Sequence, residues 1–155
     1  MQAQTVLSQA LVAYAHFASI LLLAGVLTAE LALYRQDLTV GQARLLQRVD
    51  LYYLIAALLV LATGLSRLLG FARETAYYLD NPVFWIKMGL FLTVALVSVV
   101  PTIHYLRWSP RLRQGHRPEI SDRQYVLIRR YLWVEVLLVL LIPLTAVLMA
   151  RGIGM

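Results

Sequence analysis

The chain has 155 residues, 61% hydrophobic and only 14% charged, against roughly 45–50% and 25% in an ordinary soluble domain, so it reads as one integral membrane domain spanning 1–155. Cysteine is absent, which excludes disulfides, thiolate metal sites and cysteine-ligated iron–sulfur clusters. The formal net charge of +6 is concentrated in two connecting segments, a pattern that points to anionic lipid headgroups and membrane topology rather than to nucleic acid.

The opening residues, Met1-Gln2-Ala3-Gln4, carry no positive side chain, and the apolar run behind them outruns the roughly 7–15 residues of a signal-peptide core. It predicts a retained first span. A crossing takes about 20 mostly apolar residues, and four segments supply them: 7–34, 49–71, 82–108 and 125–150. The connections are 37–48, 72–81 and 109–124. Pro110, Gly115 and Pro118 punctuate the third, and Ser121 or Asp122 is placed to cap the last helix.

Arg35, Arg44 and Arg48 belong to the first connecting region, and Arg107, Arg111, Arg113, Arg117, Arg123, Arg129 and Arg130 to the third. The opposite side holds Arg67, Arg73 and Arg151. This asymmetry predicts both long connections in the cytoplasm and both termini on the outer, periplasmic side of a bacterial inner membrane. Short connections predict an all-α fold, an up-down four-helix bundle. Gly25, Ala29, Ala32, Ala62 and Gly64 are expected to let helices approach closely. Pro101 and Pro143 fall inside spans, where they would bend them. Trp85, Trp108, Tyr34, Tyr52, Tyr53, Tyr77 and Tyr78 are expected in aromatic belts at the interfaces.

The most unusual residue is Lys87, the single lysine, which lies inside the third apolar stretch. An ionisable group there costs about 2.5–3.5 kcal/mol on insertion scales and marks a functional candidate. With the first span centred near Ile20, His16 lies roughly 6 Å toward the outer side. With the third centred near Ala95, Lys87 lies roughly 12 Å toward the same side. Arg67 falls at a similar depth, so one layer collects an imidazole, an amine and a guanidinium. The chemistry of that set is a haem iron ligand from His16, a second ligand or a substrate contact from Lys87, and a propionate contact from Arg67. Hydrogen bonding of His16 in a packed core and snorkelling of Lys87 are the structural alternatives.

A second set, Glu30, Asp50, His104, Arg129 and Arg130, gathers on the cytoplasmic side, where ion pairing and snorkelling at helix ends account for the carboxylates and arginines. Glu135 lies deeper and is open to three roles: an arginine pair, a protonated carboxyl, or part of a proton path. His104 and His116 lack helical metal-ligand spacing, so no dedicated zinc or copper site is evident. No phosphate loop or nucleophile elbow is present.

The stretch Tyr77-Tyr78-Leu79-Asp80-Asn81-Pro82-Val83-Phe84-Trp85-Ile86-Lys87-Met88-Gly89-Leu90-Phe91, continuing to Ser98, Pro101-Thr102 and Leu106-Arg107-Trp108, resembles a bacterial family of predicted four-helix membrane proteins of unknown function. The likeness covers nearly the whole chain. A more distant resemblance runs to HemJ-type protoporphyrinogen IX oxidases and CopD-type membrane domains, with His16, Thr63-Gly64, Lys87 and Val134-Glu135 at the matching positions. It implies haem b as cofactor, with the histidine and lysine as the functional pair. Ser98 stands where a second histidine is expected, and Val134 where an asparagine is expected.

These readings predict a haem b-binding inner-membrane protein, a redox enzyme of the protoporphyrinogen oxidase type with quinone or a porphyrin as partner. His16 is the axial metal ligand, Lys87 and Arg67 complete the cofactor site, Lys87 and Glu135 are the catalytic candidates, and Glu135 and Arg130 are candidates for proton handling or packing support. The alternative is a non-enzymatic membrane subunit or a small-molecule or copper carrier, with Met88 near Lys87. The bilayer with its anionic cytoplasmic headgroups is the expected environment. A homodimer is a common state for such bundles, and the sequence names no interface for one.

Overall fold

In a computed structural model that describes residues 2–70 and 79–154, the chain is an up-and-down bundle of four long helices. They are α1 (Gln2–Leu33), α2 (Val40–Gly70), α3 (Pro82–Leu106) and α5 (Asp122–Ala150), with a short α4 (Ser109–Arg113) in the third connection. All four long helices are long and apolar enough to cross a membrane. Helices α1 and α2 pack as one hairpin and α3 and α5 as another; the hairpins meet through α1 with α5 and α2 with α3. Arg73, Tyr77 and Tyr78 lie outside the described residues.

The helices are apolar all round, as they must be when one side faces lipid and the other a core. The inward face is picked out by period. Buried positions on α1 are 16, 19, 23, 27 and 30, followed by Tyr34; on α5 they are 128, 132, 135, 139, 142, 145 and 149. This alternation of three and four residues is the seam of a helical bundle. Leu23, Leu27, Leu46, Leu132 and Val139 fill it, while Leu21, Leu58, Leu96 and Leu140 point outward.

Helix starts follow local chemistry. Asn81 caps α3 by accepting from the Val83 amide at 2.8 Å, with Pro82 in the first turn. Ser121 and Gln124 form a reciprocal capping box on α5, as the sequence predicts for Ser121. The Thr39 and Gln42 side chains and amides close a similar box on α2. That box starts α2 at Val40, so most of the predicted 37–48 connection is helical and Arg44 and Arg48 project from helix. Arg44 reaches the Leu112 carbonyl at 2.6 Å and Gln47 the Tyr105 carbonyl at 2.7 Å, tying the third connection to α2.

Two expectations are corrected. Gly25, Ala29, Ala32 and Ala62 are exposed on the bundle's outer face, and the small residues packed inside are Ala43 and Ala56. Of the two predicted glycines, Gly64 meets another helix and Gly25 opens on free space. Tyr34, Tyr53 and Trp108 are core residues, whereas Trp85 and Tyr52 face outward. Composition gives depth along a helix; it does not give angle around it.

The Asn81 amide nitrogen donates to the Ile153 carbonyl at 3.3 Å, which seats the C-terminal turn on the start of α3. Gly154 there has a φ of 95°, and a Cβ would lie 2.6 Å from Asn81 Oδ1. Gly115 also has positive φ, 78°, but opens on free space. Left-handed strain alone costs about 1–2 kcal/mol. Gly154→Ala should therefore lower the thermal midpoint in detergent more than Gly115→Ala does.

Candidate functional site

His16 sits on the α1 seam and is 5% exposed, so its ring faces the bundle and not lipid. It rests against Gly64 of α2, where an added Cβ would come within 3.2 Å of His16 Cε1. A glycine at that point lets the imidazole close onto the α2 backbone. The neighbouring Thr63 Oγ1 donates to the Leu59 carbonyl at 2.6 Å and lies 3.0 Å from His16 Nδ1. A hydroxyl has one proton to give. Since Thr63 gives its proton to a backbone carbonyl of α2 and the imidazole also bonds the Val60 backbone, we infer that Nδ1 carries the ring proton. Pinning one ring nitrogen by a hydrogen bond sets the tautomer and aims the other, as metal-binding histidines require.

Lys87 enters the same layer from α3. Phe84 and Val94 are the buried positions around it, and Phe91 packs against the core, so Lys87 is half-buried on the inner side of the helix. The Asn81 cap and Pro82 fix where α3 begins and hence where Lys87 points. Arg67 comes from α2 and holds its guanidinium 5.6 Å above the Phe17 ring. Both cations act electrostatically on His16, and Arg67 acts on Lys87. The three residues predicted to share a layer are therefore brought together. Among the described residues the one ion pair is Arg111–Glu119 at 3.0 Å, far from here. Two cations and an imidazole thus share one layer of an apolar bundle, and among the described residues neither cation forms an ion pair.

Glu135 does not join this layer. It belongs to a second cluster, nearer the arginine-rich end, with Glu30 of α1, Asp50 and Tyr53 of α2, and Tyr105 of α3. Glu30 and Glu135 are each 1% exposed and Asp50 is 8% exposed. The ion pairs expected for Glu30 and Asp50 do not form among the described residues. Asp50 accepts from Thr102 at 2.7 Å. Arg129 instead bonds Tyr125 Oη at 2.8 Å, and Arg130 is exposed. His104 lies in an aromatic group, 3.4 Å from Tyr34 Oη and edge-on to Trp108. Among the described residues no three His, Asp or Glu side chains are close enough to hold a metal ion between them.

The convergence of these carboxyls, and the part played by Tyr53 and Tyr105, were missed in the sequence. The signal was present: Glu30 falls on the same three-four stripe as His16, Leu23 and Leu27, so it had to face inward.

Residues 8–154 match the model of a family described as "Predicted membrane protein (DUF2214)", and the chain belongs to that family. No curated protein and no solved structure matches it.

The inferred tautomer is directly measurable. Nitrogen NMR of histidine-labelled protein should show His16 protonated on Nδ1 and bare on Nε2. Thr63→Val should abolish that preference at a stability cost of about 1 kcal/mol. An Nε2-protonated His16 in the unmodified protein contradicts the assignment.

Proposed function

We propose that this DUF2214 protein is a multi-pass protein of the bacterial inner membrane, with both termini in the periplasm, whose His16–Lys87–Arg67 site holds an apolar-bodied ligand bearing carboxylates. Haem b is the ligand whose chemistry these side chains match. The observation that supports it is the pair of cations, without an ion-pair partner among the described residues, acting on a buried imidazole whose Nδ1 lies 3.0 Å from the Thr63 hydroxyl. The fit is specific to each residue. His16 Nε2 is a nitrogen ligand oriented from behind by Thr63, Gly64 leaves room for the ring, and Lys87 and Arg67 offer charge to propionates. Bound haem would supply one-electron chemistry, which makes a membrane oxidoreductase the activity of this reading.

The chain's own residues do the rest. Thr63 holds the imidazole's tautomer, the apolar seam below it keeps water out, and Lys87 places its ammonium where a carboxylate or quinone oxygen would lie. The place of a second histidine is taken by Ser98, which bonds its own helix at Ala95, so the site relies on one imidazole. Val134 faces outward and takes no part. A second reading follows from the close seating of His16 on Gly64. An iron-free carboxylate amphiphile held by Lys87 and Arg67 alone makes the protein a carrier or a non-enzymatic membrane subunit.

The absorption spectrum of detergent-purified protein, expressed with ample haem supply, separates the two. A Soret band is expected, lost in His16→Ala and weakened in Lys87→Ala with folding intact. Absence of the band, with none regained on reconstitution, sinks haem binding and leaves the carrier.

Orientation is tested cleanly because the chain has no cysteine. In intact spheroplasts an impermeant maleimide should label Arg151→Cys at once and Arg117→Cys only after permeabilisation. The reverse pattern inverts the topology.

A further inference from the structure

The carboxyl cluster is unused by the outer site and has its own chemistry. Every long helix contributes: Glu30 from α1, Asp50 and Tyr53 from α2, Thr102 and Tyr105 from α3, Glu135 from α5. The groups face one another. Glu30 is acted on by Asp50 and Glu135, Tyr53 faces Glu135, and Tyr105 faces Glu30. Glu30 Oε1, Glu135 Oε1, Tyr53 Oη and Tyr105 Oη are buried without a well-formed hydrogen bond, and the partners within their reach are each other, Tyr105 for Glu30 and Tyr53 for Glu135. Tyr53 and Tyr105 are 4% and 0% exposed, so solvent cannot satisfy them.

Three carboxylates in an apolar core need compensation, since an uncompensated buried charge is strongly disfavoured. Arginine does not provide it, because none is among the groups acting on these carboxyls. Among the described residues no three His, Asp or Glu side chains gather as metal ligands. Protons meet both needs at once. A proton removes a negative charge, and a protonated carboxyl can donate as well as accept, whereas the Tyr53 and Tyr105 hydroxyls offer one proton each to three carboxyls. Next to Tyr105 lie Tyr34 of α1 and His104 of α3, joined at 3.4 Å, with Tyr34 stacked on Tyr125 of α5. This group lies between the carboxyls and the arginine-rich end.

We propose that Glu30, Asp50 and Glu135, closed by Tyr53 and Tyr105, form a proton-binding site in the bundle interior that exchanges with the arginine-rich side of the membrane. The site is independent of the ligand held by His16, Lys87 and Arg67, and stands whether or not haem is bound.

The full chain, reconstituted in liposomes, is examined by infrared spectroscopy for the carbonyl band of protonated carboxyls, identified by its shift in heavy water. The band is expected at neutral pH, bleaches reversibly as the pH is raised, and is lost in the isosteric double variant Glu30→Gln/Glu135→Gln. Three results overturn the proposal. One is no band at neutral pH in the unmodified protein, a measurement that needs no variant to fold. Another is a band that persists in the double variant or ignores alkaline pH. The third is a band removed by sodium chloride at constant pH, which would make the cluster a sodium site.

Discussion

Inside a bilayer core there is no water to satisfy a polar group, and this constraint organises the molecule. Each helix closes its own backbone hydrogen bonds and must place any polar side chain on the strip that faces the other helices. That strip recurs every three or four residues, and the polar residues ride on it beside leucines. His16, Ser19, Glu30, Asp50, Glu135 and Thr145 are all buried, while the outward faces are overwhelmingly apolar. Both polar clusters exist because four such strips meet along one axis.

The two clusters have opposite character and cannot neutralise each other. His16 and Glu30 are separated by a helical rise of about 21 Å, so the cations near the chain termini and the carboxyls near the arginine-rich connections lie in different layers. Each layer has to find its counter-charge outside the set of side chains that builds it. We propose an anion for the first and protons for the second. A bundle with opposite charges at matching depth would have paired them and left a structural ion bridge with little chemistry to offer.

Rigidity at the first layer comes from ordinary devices. The Asn81 cap, Pro82 and the C-terminal turn seated on Asn81 set the start of α3, and therefore the direction of Lys87. The Thr63 hydroxyl and the bare Gly64 backbone set the imidazole. What reads in the sequence as an Asn-Pro-Val-Phe-Trp-Ile-Lys element is thus two things in succession, a helix start and a charge presented at a fixed angle.

Much of this was legible in the residues themselves. Run length determined four spans, Ser121 and Gln124 determined where the last helix starts, and rise per residue placed His16, Lys87 and Arg67 at one depth, because these depend on local chemistry and on distance along a helix. Facing is another matter. Gly25, Ala29 and Ala62 look like packing residues and point outward, and Tyr53 looks like a belt residue and closes a buried carboxyl cluster. Glu30 and Asp50 look like partners for nearby arginines, which turn away to Tyr125 and the exposed surface. The angle of each helix about its own axis settles these cases. In a chain apolar on every side that angle is chosen by how four helices fit together, so only the tertiary structure decides it.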